Sequence, residues 1–224
     1  MGVPYKSLKF TPMKIIQFAS LILLFITALT SCDSAVEESR KYVHVPPTMP
    51  DSVYDKLQDG DFIMRKGTGP LSFHIMNATK EDYSHCGIIV KEDDKWRVIH
   101  AMGGSVSKGD VDGMQMVDLK EFVAYAADSM MFICRATFED SLGPKIRDKA
   151  YEYLATEAPF DHSFDLFEQD RIYCSELIFC ILRDLTGENQ MNIRKKKESY
   201  QLLFSTFFDE EKYQPIFHLK DLAK

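Results

Sequence analysis

The stretch 171–185, RIYCSELIFCILRDL, constrains this chain more than any other. Its apolar residues fall at Cys174, Leu177, Ile178, Ile181, Leu182 and Leu185, the spacing of a helix with one face against a core. Gly187 is placed to end that helix. Cys174 heads the stripe, so its thiol sits at the helix N-terminus and points inward. There the positive end of the helix dipole and the free backbone N–H groups favour a thiolate. A cysteine so placed is either a nucleophile or a small buried core residue, and the stretch by itself leaves both open.

With 224 residues, 45% of them hydrophobic, the chain can bury one full core. A net charge of −7 argues against nucleic acid as a partner. Cys86, Cys134, Cys174 and Cys180 form no C-x-x-C pair, so neither a zinc site nor a thioredoxin-like motif is indicated, and no metal or cofactor is expected. Their spacings suggest no disulfide framework either.

The N-terminus reads as an export signal. Lys6, Lys9 and Lys14 precede an apolar run from Ile15 to Leu29, closed by Thr30-Ser31-Cys32. The run is short for a transmembrane helix, which needs about 20 apolar residues. Leu29-Thr30-Ser31-Cys32 resembles a bacterial lipobox, which implies a lipid on Cys32 and an exported, membrane-anchored lipoprotein on the periplasmic or extracellular face. The expected organisation is a signal over 1–32, a polar, proline-bearing tether over 33–51, and one folded domain over 52–224.

Within the domain, Asp61–Arg65 follows the Asp59-Gly60 turn as a first short strand, and 71–79 reads as a short helix. Residues 83–91 (YSHCGIIVK) and 96–101 (WRVIHA) are strands joined by the acidic turn Glu92-Asp93-Asp94-Lys95. A short helix is expected over 117–124, a strand over 130–137, and a helix over 144–156 opened by Pro144. A loop over 157–170 then leads into the Cys174 helix. The tail, 189–224, holds the basic run 194–197, read as a solvated charge run, and then Phe204, Phe207 and Phe208, read as a core-capping segment.

The hairpin provides a geometric test of the thiol. With a two- or four-residue loop, Lys91 faces Trp96, Ile89 faces Val98 and Gly87 faces His100. His85 then shares a face with His100 as its diagonal neighbour, and Gly87 leaves room for the His100 ring. A three-residue loop would shift the register by one and break the arrangement. A cysteine nucleophile needs a base and a third polar group to orient that base. Cys174, His85 and His100 supply these three roles, and a facing imidazolium together with the dipole would lower the thiol pKa.

The segments Asp59-Gly60-Asp61-Phe62, Tyr83-Ser84-His85-Cys86-Gly87-Ile88, Val98-Ile99-His100-Ala101 and Tyr173-Cys174-Ser175-Glu176-Leu177 resemble, in this order, the permuted papain-like cysteine hydrolases. Within these, the chain is similar to the YiiX/YebB-like branch, related to the NlpC-type cell-wall peptidases, over roughly residues 57–185. The resemblance implies an α+β fold, a small antiparallel sheet packed against the helix that carries the nucleophile. It makes Cys174 the nucleophile, His85 the base, and His100 the third group, where close relatives often have glutamate. Tyr83 is a candidate oxyanion donor or a packing residue, and Asp161 a substrate-side acid or a loop turn residue. Glu176 is read as a partner of the helix dipole, and His44, His74, His162 and His218 as surface groups.

The activity implied is hydrolysis of an amide through a thioester, on cell-wall stem peptide or a small N-acyl or peptide amide. Acyl transfer through the same thioester, or a binding module with an idle thiol, are the alternatives.

Overall fold

The computed structural model describes residues 45–104, 112–167, 170–197 and 199–219. The chain divides between Val45 and Pro46 into two units, and the fold below is that of the second. The signal, Cys32 and the tether up to residue 44 lie outside the described residues.

The strands are β1 (Asp61–Arg65), β2 (His85–Glu92), β3 (Lys95–Met102), β4 (Gly113–Asp118), β5 (Met131–Ala136), β6 (Ile193–Lys196), β7 (Ser199–Leu202) and β8 (Tyr213–His218). Six form one antiparallel sheet in the order β4-β3-β2-β1-β5-β8, and β6 and β7 make a separate hairpin. The helices are α1 (Asp51–Tyr54), α2 (Pro70–Thr79), α3 (Leu119–Ala124), α4 (Leu142–Leu154) and α5 (Cys174–Thr186). This is an α+β fold, with a sheet larger than the sequence suggests.

Alternation along the strands divides the core into two layers. Phe62, Met64, Cys86, Ile88, Val90 and Ile99 pack with α4 and α5. Ile63, Ile89, Val98, Met131 and Ile133 pack with α1 and α3 on the other face. Every residue of β1 is buried, as a central strand covered on both sides requires.

Helix α5 forms as its apolar stripe dictates. Cys174, Leu177, Ile178, Ile181 and Leu182 are buried, each large aliphatic side chain contributing about 1.5–3 kcal/mol by leaving water. At its start the Glu176 carboxyl accepts a hydrogen bond from Tyr173 N–H at 3.3 Å. At its end Gly187 takes φ 74°, and its N–H donates to Arg183 O at 2.8 Å.

The β2–β3 hairpin takes the even-numbered turn. Glu92 pairs with Lys95, Lys91 with Trp96 and Ile89 with Val98. The two turn residues, Asp93 and Asp94, both have positive φ (46° and 61°), the twist that matches flanking strands. Gly87 is required: a Cβ there would stand 2.5 Å from Val98 Cγ1 and 3.1 Å from His100 Cβ.

Three elements differ from expectation. The helix expected over 117–124 begins only at Leu119, because Gly113–Asp118 extends the sheet as β4. Asp118 then caps the shortened helix, its Oδ1 accepting from Lys120 N–H at 2.9 Å. In the tail, the basic run is exposed as expected, but it pairs as a strand with β7. Beyond it, Phe204 and Phe207 enter the core, and β8 joins the edge of the main sheet beside β5. Pro215 lies in β8, an edge strand, where it pairs by register with Cys134 beside a break in the register, a place that tolerates proline.

Candidate active site

The first residue of α5 places Cys174 where backbone N–H groups lack helical partners. The residue is 2% exposed. The Cys86 thiol, hydrogen-bonded to the Cys174 sulfur, does most to hold the Cys174 pKa below the ordinary thiol value. Burial opposes it, and the backbone N–H groups of Cys86, Ser175 and Cys174 act in the same sense as Cys86. Cys86 is pushed well up by burial and by Cys174.

His85 and His100 meet as the register requires. His85 Nε2 and His100 Nδ1 stand 2.9 Å apart, with the rings at 81°. Phe122 of α3 stacks on the His85 ring at 5.4 Å and meets the His100 ring edge-on at 5.3 Å. For His85 to accept a proton at Nδ1, its Nε2–H must donate to His100 Nδ1. His100 is then protonated at Nε2, a buried atom with no hydrogen-bond partner among the described residues.

Both rings are neutral. Burial and the Arg65 cation, with His100, hold the His85 pKa well below its usual value. Burial and Arg65 lower His100 to about 3. The facing imidazolium expected from sequence is therefore not what lowers the Cys174 pKa. That work falls to Cys86 and to backbone N–H groups.

The two histidines and the thiol approach from different layers. His85 and His100 share the α3 side of the sheet with Ile89 and Val98, whereas Cys174 packs with Cys86 on the α5 side. His85, the first residue of β2, stands at the end of the strand. Cys174 and His85 both line a cleft of about 570 Å³, together with Arg65, Ser84, Leu71 and Phe160. Cys174 also borders a second pocket of about 200 Å³ with Tyr173, Ser175 and Tyr200.

Over residues 56–212 the sequence matches the model of a family described as permuted papain-like amidase enzymes, YaeF/YiiX, C92. The chain belongs to this family. Its fold is the permuted papain-like one of that family. It is 29% identical over 143 residues to the uncharacterized protein YiiX of Escherichia coli (strain K12), a match over 63% of this chain. The chain covers 65% of that protein's length, just short of two thirds. The crystal structure of metalloprotein yiiX from Escherichia coli O157:H7 shares the fold, with a TM-score of 0.60 at 22% identity. That match covers 72% of this chain and 97% of the other.

The other candidate residues of this chain lie elsewhere. Tyr83 precedes β2, and its hydroxyl is 3.1 Å from His218 Nε2, with Phe208 against its ring. It does not line the cleft, so it is no oxyanion donor. His218, expected at the surface, is that hydroxyl's partner. Asp161 is fully buried and faces its own loop, its carboxylate accepting from Ser163 N–H, Ser163 Oγ–H and Asp165 N–H at 2.6–2.7 Å. It is the loop-turn residue. Glu176 is buried, and burial outweighs its bond to Tyr173 and pushes its pKa up to about 8. At neutral pH it is largely protonated, a cap rather than a charge on the dipole. His74 is exposed, and His162, also exposed, bonds Asp112 at the rim.

Sequence reasoning missed Arg65. It ends β1, is 4% exposed and pairs by register with His85. Its Nη1–H donates to Phe122 O at 2.6 Å, and its guanidinium lies over the Phe122 ring at 4.3 Å. A lone arginine closing an apolar strand, DFIMR, was the available signal.

Proposed function

We propose that this chain is a lipid-anchored amidase that opens its amide through a thioester on Cys174, with His85 as base and His100 orienting it. The observation that carries the proposal is the cleft. A thiol at a helix N-terminus lines it together with a histidine whose far nitrogen is held 2.9 Å from a second histidine.

The chemistry follows from the tautomers. His85 Nδ1 takes the thiol proton as sulfur attacks the carbonyl carbon, and Nε2–H keeps its bond to His100. The oxyanion faces the Cys174 backbone N–H, which has no helical acceptor. Collapse expels the amine, which takes the proton back from His85 and leaves the acyl group on sulfur. Water, deprotonated by the same nitrogen, then releases the acid. Because burial and Arg65 disfavour the His85 imidazolium, proton transfer is completed only as charge develops on the substrate oxygen.

The lipobox-like segment supports anchoring through Cys32 outside the cytoplasmic membrane, with cell-wall stem peptide or a small N-acyl or peptide amide as substrate. The Escherichia coli O157:H7 relative is described as a metalloprotein. Among the described residues of this chain no three His, Cys, Asp or Glu side chains are grouped to hold a metal ion. The facing nitrogens of His85 and His100 are spent on each other. Among the described residues the donor set does not fit a metal.

The test is acylation. Incubated with an electrophilic amide library, the domain should carry the acyl group on Cys174, and Cys174→Ala should carry none. Product in which the acyl group has moved to an added amine rather than to water would make the enzyme a transferase. A folded protein acylated at no cysteine would be a binding module. For the anchor, Cys32→Ala should abolish metabolic fatty-acid labelling, and unchanged labelling would end that part of the proposal.

A further inference from the structure

Arg65 is a charged side chain in a place that is costly for one. It is buried at the end of a central strand, and among the described residues no carboxylate lies within salt-bridge distance of it, Glu121 acting only from farther off. A buried cation without a counter-ion is strongly disfavoured unless something compensates it. Here compensation comes from one carbonyl, Phe122 O, and from the faces of Phe122 and Tyr125, at 4.3 and 5.3 Å. The set is incomplete, since Arg65 Nε is buried with no hydrogen-bond partner.

The side chain borders open space. Arg65 lines the cleft that holds Cys174 and His85, and also the adjoining pocket of about 440 Å³ lined by His100, Phe122, Tyr125 and the single carboxylate of Glu121. Among the described residues no Asp or Glu lines the nucleophile's cleft, in a chain whose net charge is −7. Burial lowers the Arg65 pKa to about 10, against the pull of Tyr125, Cys174 and Glu121, so the guanidinium stays charged at neutral pH. A fixed cation beside a nucleophile, in a cleft without acidic side chains, suits one kind of ligand group.

We propose that the Arg65 guanidinium is an anion subsite that takes a carboxylate of the substrate, so that the enzyme acts on amides with an acid group close to the scissile bond. An N-acyl amino acid, or a peptide cut beside its free carboxylate, has that chemistry. The proposal rests on Cys174 being the nucleophile. A planar carboxylate matches the guanidinium fork, which lysine cannot reproduce.

Iodoacetate and iodoacetamide test it, because they are an acid and a neutral amide of nearly the same shape, and both alkylate a thiolate with loss of iodide. The rate ratio of acid to amide at Cys174 is compared with the ratio for N-acetylcysteine under the same conditions. In the wild-type protein it should be higher by about tenfold or more, the scale of one charge-assisted hydrogen bond. Arg65→Met should bring it down to the free-thiol value, and Arg65→Lys should retain part of the gain.

A wild-type ratio equal to that of N-acetylcysteine overturns the subsite with no variant needed, while Cys174 stays a reactive thiol. A raised ratio that Arg65→Met and Arg65→Lys both leave unchanged, in proteins with the wild-type circular dichroism spectrum, overturns it too. Failure of both reagents to modify Cys174 defeats the nucleophile assignment itself, and the subsite with it.

Discussion

Replacing His100 separates orientation from proton transfer. In the proposed mechanism the resting His100 Nδ1 accepts from His85 Nε2–H across 2.9 Å, between residues that are 2% and 7% exposed. As His85 takes the thiol proton, that bond becomes charge-assisted. Such a bond is worth about 1.5–3 kcal/mol, so His100→Ala should lower kcat by roughly 10- to 150-fold. His85→Ala removes the proton acceptor itself and should cost about 10³-fold or more.

His100→Glu gives the contrast that a merely structural role would not. Its carboxylate, near the Arg65 cation, should stay ionised and favour the His85 imidazolium, raising a pKa that is now held well below its usual value. The acid limb of kcat/KM should therefore move to higher pH, and activity should survive. The assay is hydrolysis of one acylating amide from about pH 4 to pH 9 for wild type and the three variants. If His100→Ala is as inactive as His85→Ala, or if the His100→Glu limb stays in place, the orienting role is refuted.

Iodoacetamide at neutral pH should modify Cys174 before the other cysteines, because it lines the cleft with a lowered pKa. Cys86 and Cys134 are fully buried with raised pKa values, and half-buried Cys180 is pushed up to about 11. Peptide mapping decides the order, and first reaction at Cys180 would count against an activated Cys174. Gly87→Ala drives a methyl group into Val98 and His100 and should cost about 1–3 kcal/mol, seen as a lower urea midpoint, with kcat falling as His100 shifts. The buried, neutral histidines also predict acid sensitivity. Their folded pKa values lie below the unfolded value of about 6.5, so the stability they contribute is present above it and lost as pH falls below it, for His100 down to about 3. The slope is about 1.4 kcal/mol per pH unit for each ring, and in His100→Leu the fall in urea midpoint should be shallower.

What the sequence determined by itself lies within a few residues. The stripe from Cys174 to Leu182 dictates a helix and puts the thiol at its head, because periodicity is a local property. The sequence ties the meeting of His85 and His100, and the room Gly87 leaves for a ring, to an even-numbered turn, and Asp93-Asp94 supply that turn in the fold. Tertiary structure decided how the remaining polar groups are spent. Tyr83 carries the residue type of an oxyanion donor, yet its hydroxyl lies against His218, 135 residues along, because β8 closes the edge beside β5. Arg65 reads as the end of an apolar strand until α3 brings up Phe122, 57 residues on, to hold it beside the cleft. Cys86 is one letter of a strand pattern until α5 packs against it and makes it the partner of the nucleophile. Hydrogen bonds and charges act over a few ångströms. Which groups come that close is set by how the layers stack, and spacing along the chain does not encode it.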